Sequence, residues 1–353
     1  MDRRSVVALV VIAVSALAVA MILFAVSDNT STEAAPSTTQ PSAGTSSSTP
    51  DQIDSSSAPS STTSPPVAAE TTSTTSASIP QPTLAPGATA CSPYQSITTA
   101  GVVASPDLVE ASGMAASRTQ PGVIWAHNDS RDGARVYAIG RNGEDLGGFE
   151  IAGASAFDWE DMAAGPGIDS ARSFLYFGDI GDNFSIRGGR ITVYRVPEPD
   201  PATLAGPLEG AVALEFIYPD GEYNAEALFV ADDSIYVVTK DRQAARVYRG
   251  SAFPADSGVE TLELVTVLAL GDEVSGATLS WDGATIAFRG YNSVWMWHRD
   301  PGATIAEALA AEPCNAPSPD EVQGEAITFL PDNAYSTVSE GSSPDLFVIP
   351  FES

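Results

Sequence analysis

The chain has 353 residues, of which 45 are acidic and 16 are basic, and its formal net charge is -29. Nucleic acid and anionic membrane surfaces carry the same sign of charge, so both are poor partners for it. Cations, or cationic groups on a ligand, are favoured instead.

The N-terminal segment predicts export. Residues 5–26 hold no charge and follow Arg3 and Arg4. This run is about as long as the roughly 20 residues that cross a bilayer as a helix. The basic residues place the N-terminus in the cytoplasm. Residues 1–27 are therefore predicted to be an uncleaved signal anchor in the plasma membrane, and a cleaved signal peptide with a secreted product is the alternative.

The next segment, residues 28–90, consists mainly of Ser, Thr, Pro and Ala. It has no apolar periodicity and buries too little surface to offset the entropy lost on ordering. We expect a disordered stalk that holds the rest of the chain away from the membrane.

Residues 91–353 contain five copies of one pattern. Short runs start at residues 110, 158, 224, 273 and 323: EASGMAAS, DWEDMAAG, NAEALFVA, EVSGATLS and QGEAITFL. Each is followed by a second and a third alternating run, and copies one to three add a fourth. Period-2 runs separated by Gly, Asp, Asn and Pro predict strands and tight turns. The only helical pattern is TIAEALAAE.

Repeats of this length predict an all-β fold, a β-propeller with five blades of four strands. A sixth blade hidden in the long second interval is the alternative. The last copy has only three runs, so we expect residues 95–104 to supply its missing strand and close the ring. A disulfide between Cys91 and Cys314 fits an exported chain and this closure, and two free thiols are the alternative.

Two polar columns mark the five inner strands. The first column is Glu110, Asp158, Asn224, Glu273 and Gln323, and the second is Ser112, Glu160, Glu226, Ser275 and Glu325. Positions i and i+2 share one side of a strand, so these side chains are expected to meet at one mouth of a central channel.

Crowded carboxylates and amides either bind a cation or raise one another's pKa. Oxygen ligands without thiolates suit Ca²⁺ before Mg²⁺. The predicted metal ligands are Glu110, Asp158, Glu160, Asn224, Glu226, Glu273 and Glu325. Protonated or water-bridged carboxylates, and a purely structural polar ring, are the alternatives.

The ends of the second runs supply a further tier. They align as His127, Asp179, Thr239, Arg289 and Ser339, followed by Asn128, Ile180, Lys240, Gly290 and Glu340. From these we predict ligand contacts by His127, Asn128, Asp179, Lys240, Arg289 and Glu340. For Lys240, the only lysine, the alternative is a turn residue without a role, and for His127 it is a packing role.

Several of these runs resemble the SdiA-regulated and phytase-esterase-like β-propellers. The resemblance rests on EASGMAAS, GVIWAHNDS, ARVYAIGRNGEDLGGFEIAG and FDWEDMA, and on the later NAEALF, IYVVTKD, GEAITF and STVSEG. It implies an extracytoplasmic propeller with a central metal. Its motif positions fall on Glu110, Ser112, Asp158, Glu160, Glu226 and Glu325. Ser275 departs from the motif, and the basic residues that phytase chemistry needs are scarce.

Two functions remain open from the sequence. The first is a membrane-anchored binding module that holds a small molecule or a protein partner at the acidic, calcium-containing face. The second is a metal-assisted hydrolase of an ester, lactone or phosphoester, with His127 or Glu160 as the candidate proton-transfer residue. The fold alone does not decide between them.

Overall fold

The structure, a computed structural model, describes residues 84–129, 132–166 and 172–352. Strands dominate these residues, and the one helix among them is short. Within the described ranges, no helix has both the length and the apolar character needed to cross a bilayer. The predicted signal anchor and the predicted stalk as far as residue 83 lie outside the described residues.

Twenty-one strands are found among the described residues. The first eleven are β1 Thr98–Val102, β2 Ala111–Ala116, β3 Val123–Asn128, β4 Arg135–Gly140, β5 Asp145–Glu150, β6 Trp159–Pro166, β7 Ser173–Asp179, β8 Arg190–Pro197, β9 Val212–Ile217, β10 Ala225–Ala231 and β11 Ser234–Thr239. The remaining ten are β12 Ala245–Ser251, β13 Glu260–Thr261, β14 Glu263–Leu268, β15 Val274–Leu279, β16 Thr285–Gly290, β17 Val294–His298, β18 Cys314–Ala316, β19 Gly324–Phe329, β20 Tyr335–Ser339 and β21 Asp345–Ile349.

These strands form five antiparallel blades, as predicted. The sheet orders are β2-β3-β4-β5, β6-β7-β8-β9, β10-β11-β12-β14, β15-β16-β17-β18 and β19-β20-β21-β1. The short β13 adds a parallel fifth strand outside β9. The inner strands β2, β6, β10, β15 and β19 contact one another in a closed cycle. The described residues thus form a five-bladed propeller, and the long second interval holds no sixth blade there.

Ring closure agrees with the sequence prediction. Strand β1 pairs with β21 and completes the fifth blade. Cys91 and Cys314 form a disulfide with Cα atoms 6.0 Å apart. Cys314 lies on β18, the outer strand of the fourth blade, which the sequence analysis did not identify. The disulfide therefore ties the segment before the closing strand to the neighbouring fourth blade.

The inner strands are buried on both faces, because each blade packs between two others. All residues of β2 and β10 are buried, and apolar clusters fill the spaces between neighbouring sheets. Small residues let the inner strands approach closely near the axis. A Cβ atom at Gly113 would lie 2.7 Å from the backbone nitrogen of Met162 on the next inner strand.

A buried acid holds three inner strands together. Asp161 is fully buried, and its Oδ2 accepts hydrogen bonds from Leu228 N at 2.8 Å and Ala277 N at 3.0 Å. Its Oδ1 accepts one from Met162 N at 2.8 Å. Burial raises the pKa of Asp161 although these three bonds oppose the shift. One side chain on β6 thereby fixes the positions of β10 and β15.

The single described helix, α1 Ile305–Leu309, lies in the predicted TIAEALAAE segment. Thr304 Oγ1 accepts a hydrogen bond from Glu307 N at 3.2 Å, and Glu307 Oε2 accepts one from Thr304 N at 2.8 Å. This reciprocal pattern is a capping box. The helix packs beside β14, the outer strand of the third blade, and β17 of the fourth blade, away from the inner strands.

Candidate metal centre at the channel mouth

A β-bulge in each inner strand orients the second polar column. The strand register shifts at Ser112, at Glu160 with Asp161, at Glu226, at Ser275 and at Glu325. A bulge leaves one residue without an opposite partner and changes the direction of its side chain. The same local irregularity therefore recurs five times around the axis, at the positions where the sequence predicted convergent polar side chains.

In the first and fourth blades the bulge residue is a serine that contacts the next blade. Ser112 Oγ donates a hydrogen bond to the Glu160 carbonyl. Ser275 Oγ donates to the Gly324 carbonyl at 2.9 Å. The three remaining bulge positions carry glutamates. The column thus combines two structural hydroxyl groups with three buried carboxyl groups.

Three carboxylates from the first two blades form the cluster most suited to a metal. Single carboxylate oxygens of Asp129, Asp158 and Glu160 all lie within 4.8 Å of one another. Glu160 is only 5% exposed, and acidic side chains surround its carboxylate. Burying a carboxylate among other carboxylates is costly, so this group favours either a proton or a cation.

The electrostatics of the cluster agree with that preference. Burial raises the pKa of Asp158 to about 6, the charge of Asp129 adds to the shift, and Arg187 opposes it. Burial also raises the pKa of Glu160, and the carboxylates of Glu226, Asp129 and Asp158 raise it further. A divalent cation would relieve this repulsion. Oxygen donors alone are the ligand set of Ca²⁺ and Mg²⁺.

The GDIGDN segment positions the cluster. Asp179, at the end of β7, accepts hydrogen bonds from Phe157 N at 3.3 Å and Asp158 N at 3.1 Å, and pairs with Arg187. Gly181 lies against the carboxylates: a Cβ atom there would be 2.1 Å from Glu160 Oε1 and 2.6 Å from Asp158 Oδ2. Asp179 is therefore a positioning residue in this structure, and Gly181 provides the space in which the carboxylates approach.

Asn128 plays the equivalent part in the first blade. Its Oδ1 accepts hydrogen bonds from Val109 N and Glu110 N, both at 2.9 Å. Its Nδ2 donates to the Asp107 carbonyl and to Asp132 Oδ2, both at 2.8 Å. All the polar atoms of the Asn128 side chain are used in holding this loop. The following residue, Asp129, is placed at the channel mouth.

The opposite side of the mouth supplies its own cation. Lys240 forms an ion pair with Glu226, and its Nζ lies 5.3 Å from the centre of the Tyr291 ring. Burial lowers the pKa of Lys240, but the charge of Glu226, the neighbouring Tyr291 and the hydrogen bonds to both together outweigh it, and the net shift is upward. Burial raises the pKa of Glu226 to about 7, against the effect of Lys240.

The other predicted metal ligands divide into three groups. Asn224 Nδ2 donates to Glu226 Oε1 at 3.2 Å, and Gln323 Nε2 donates to Glu325 Oε1 at 2.6 Å. Glu110 lies near Glu340. Burial raises the pKa of Glu340 most, and the charges of Asp129 and then Glu110 raise it further. Glu273 instead pairs with Arg242 at 2.9 Å on the surface. The structure brings Glu273 to no cluster with the other acids.

The residues at the ends of the second strands form a third tier above the two polar columns. In two blades the residue observed there lies one position later in the sequence than the predicted one. The residues opposite the start of each inner strand are Asn128, Asp179, Thr239, Gly290 and Ser339. The sequence alignment placed His127 and Arg289 there, one residue too early. A shift of one residue turns a strand side chain to the other face. The residues that follow are Asp129, Ile180, Lys240, Tyr291 and Glu340, so Asp129 and Tyr291 were missed.

The structure places His127 and Arg289 inside the protein. His127 is fully buried against Trp159 and Phe177, and its Nδ1 lies 2.7 Å from the Asn128 carbonyl. Burial lowers its pKa. Arg289 is fully buried and pairs with Glu321. Neither side chain reaches the channel mouth, so the positions predicted for ligand contact are packed between blades.

Comparison with known proteins finds only distant structural similarity. No family model matches the chain, and no curated protein matches it. A glucose dehydrogenase structure is 10% identical, with a TM-score of 0.44 over 72% of this chain and 99% of that chain. A gluconolactonase from Xanthomonas campestris is 15% identical, with a TM-score of 0.39 over 73% of this chain and 80% of that chain.

The soluble aldose sugar dehydrogenase from Escherichia coli is 9% identical, with a TM-score of 0.42 over 73% of this chain and 99% of that chain. Similarity at this level does not support a fold assignment, so the propeller fold is assigned from the sheet order. The resemblance to SdiA-regulated and phytase-esterase-like propellers remains a prediction from the sequence.

Proposed function

We propose that this protein is an exported propeller that binds a divalent cation, Ca²⁺ in preference to Mg²⁺, at its channel mouth and holds a ligand through that cation. The supporting observation is the Glu160 carboxylate, which is buried and lies beside the carboxylates of Asp129 and Asp158. Six ligands or more suit Ca²⁺, and carbonyl or ligand oxygens would complete the set.

The cellular setting belongs to the same proposal. The Cys91–Cys314 disulfide is typical of an oxidising compartment. The apolar run at residues 5–26, after two arginines, favours attachment to the plasma membrane with the propeller outside. A propeller held outside the membrane presents its channel mouth to a small-molecule ligand or a protein partner.

Calorimetric titration of Ca²⁺ into the chelator-treated full chain tests the cation site. We expect one binding site, with affinity lowered at least tenfold in Asp158→Asn. The matched control is Glu150→Gln, because Glu150 lies on the outer strand of the first blade with an exposed side chain. Absence of Ca²⁺ binding to the wild type, or equal losses in both variants, would overturn the proposal.

A second function, metal-assisted hydrolysis, is favoured by Glu226. Its pKa of about 7 suits a general base at neutral pH, because such a group is partly ionised and still basic. A bound cation would polarise an ester carbonyl or acidify a water molecule. Glu226 then takes the proton-transfer role that the sequence analysis gave to His127 or Glu160, since His127 is sealed inside and Glu160 belongs to the cation cluster.

A panel of chromogenic esters, lactones and phosphoesters tests this second function. We expect Ca²⁺-dependent turnover that falls at least a hundredfold in Glu226→Gln, with Ca²⁺ affinity changed less than threefold. Glu263→Gln, on the exposed outer strand of the third blade, serves as the control. If no member of the panel is turned over, the hydrolase function is excluded and the binding function stands.

A further inference from the structure

The hydrogen-bonding groups at the channel mouth set the chemistry of a ligand. The mouth carries the carboxyl groups of Glu110, Glu226, Glu325 and Glu340 in addition to the three-acid cluster. Ionised carboxylates accept hydrogen bonds and donate none. Of the described residues, Lys240 and Arg187 are cationic side chains beside these acids, and each already forms an ion pair, Lys240 with Glu226 and Arg187 with Asp179. An anionic ligand is repelled here, whereas an uncharged ligand with many hydroxyl donors finds acceptors.

A rim of exposed apolar side chains surrounds these acids. In the first, second and fifth blades, the residue directly before the first polar column is Val109, Phe157 or Val322, with exposed fractions of 40%, 57% and 91%. All inner strands begin at the same end of the channel, so the three side chains share one face of the propeller. Large apolar groups this exposed around a polar centre are typical of ligand sites.

The loop after β7 adds two further apolar groups to this rim. Phe184 and Ile186 are 74% and 64% exposed. Asp182 holds the backbone of this loop, because its Oδ1 accepts a hydrogen bond from Ile186 N at 2.8 Å. Asn224 anchors the loop to the mouth: its Oδ1 accepts from Asp182 N at 2.6 Å and its Nδ2 donates to Asn183 Oδ1 at 3.2 Å.

We propose that the channel mouth binds an uncharged polyhydroxylated ligand, a sugar or a glycoside. Hydroxyl groups would donate to the carboxylates of the mouth, and their oxygens would complete the coordination of the cation. Phe184, Phe157 and the aliphatic rim would pack against the C–H faces of the sugar ring or against an apolar aglycone. The ligand class rests on the proposed cation-binding function, while the apolar rim is an independent observation.

An array of neutral, sialylated and sulfated oligosaccharides tests the proposal on the full chain in a detergent that contains no sugar. With Ca²⁺ present, we expect binding to neutral glycans and at least tenfold weaker binding to their acidic counterparts. Phe184→Ser should weaken binding at least fivefold. The control is Leu146→Ser, because Leu146 is 42% exposed on the outer strand of the first blade, away from the rim.

Three results would overturn the ligand class: no binding to any neutral glycan, equal binding to acidic glycans, or equal losses in Phe184→Ser and Leu146→Ser. Ca²⁺ titration of the same samples separates the two proposals. Ca²⁺ binding without glycan binding overturns the ligand class and leaves the cation site intact. Glycan binding that survives chelation and is lost in Phe184→Ser supports the ligand class and overturns the cation requirement.

Discussion

Glu160 and Glu226 occupy the same bulge position in neighbouring blades, yet their surroundings differ. Glu226 pairs with Lys240 and accepts a hydrogen bond from Asn224 at 3.2 Å. Glu160 is equally buried but has two further acids, Asp129 and Asp158, as its neighbours. Both residues lie at a β-bulge. Their surroundings differ because the residue that follows the nearby second strand is Lys240 beside Glu226 and Asp129 beside Glu160.

This contrast shows how one repeat produces two chemical environments. Where the third tier supplies a lysine, the carboxylate is neutralised within the protein and the local structure is complete. Where it supplies Asp129, the negative charge of that residue adds to the charge around Glu160, and a proton or a cation would offset it. This asymmetry of the ring favours the first two blades as the place of the proposed cation site, and it makes opposite predictions for Glu226 and Glu160.

The largest expected effect is on the ion pair between Glu226 and Lys240. Lys240→Met would leave Glu226 buried without its cation, and breaking such a pair costs about 3 kcal/mol of unfolding free energy at pH 8. Denaturant unfolding of the calcium-free protein measures this cost. The control is Arg242→Met, which breaks the exposed pair with Glu273 and should cost less than about 1 kcal/mol. Equal costs in the two variants would contradict the contrast.

The cluster of Asp129, Asp158 and Glu160 should respond with the opposite sign. Glu160→Gln removes one of three repelling charges, so the calcium-free protein should gain about 1 kcal/mol of unfolding free energy. Ca²⁺ affinity should fall at least a hundredfold, which is about 2.7 kcal/mol. Parallel chemical unfolding and Ca²⁺ titration check both signs. In Glu226→Gln, by contrast, the calcium-free protein should lose stability, because Lys240 is left without its carboxylate.

The pH dependence of stability distinguishes Asp158 and Glu226 from carboxyl groups that titrate normally. The pKa values of Asp158 and Glu226 are raised to about 6 and about 7, whereas unfolded carboxyl groups titrate near 4. Between about pH 4 and pH 7 the native state therefore binds more protons than the unfolded state. These two groups must lower stability as pH rises through that window. The effect is absent below about pH 4, where both states are protonated.

Melting temperature measured against pH, with and without Ca²⁺, provides the check. In the calcium-free protein, the difference between wild type and Asp158→Asn should grow more unfavourable to the wild type from pH 4 to pH 7. Saturating Ca²⁺ should reverse it, because the cation favours the ionised carboxylate and stabilises the native state by mass action. A difference that does not vary with pH would mean that Asp158 titrates normally.

The sequence predicted the fold well because each blade repeats one pattern. The inner-strand columns, the closing strand and the Cys91–Cys314 pairing all follow from the repeat spacing and the position of the two cysteines. The outer strand β18 was missed, because three residues, Cys314–Ala316, are too few to show alternation. Ring closure places such a strand by pairing with β17, and a local pattern does not contain that information.

The cation site could be predicted only in part. Asp158 and Glu160 stand in the predicted columns, but Asp129 and Tyr291 were missed because their second strands were aligned one residue too early. A β-bulge adds one residue to one strand of a pair. An alignment made from strand ends is therefore wrong by one residue wherever the sequence at the strand end has no distinctive residue. The sequence did contain a signal for the correct alignment. Asp129 directly follows Asn128, as the charged Lys240 directly follows Thr239.

The smallest predicted effect tests whether the carboxylates must converge. Gly181→Ala would place a Cβ atom 2.1 Å from Glu160 Oε1 and so displace this flexible side chain. We expect Ca²⁺ affinity to fall about tenfold, or about 1.4 kcal/mol, with unfolding free energy changed by less than about 1 kcal/mol. Gly258→Ala is the matched control, since a Cβ atom there meets nothing within 4 Å. If Gly181→Ala binds Ca²⁺ like the wild type, Ca²⁺ binding does not depend on the approach of Glu160 to Asp158, and Glu160 would then be satisfied by a proton instead of the metal.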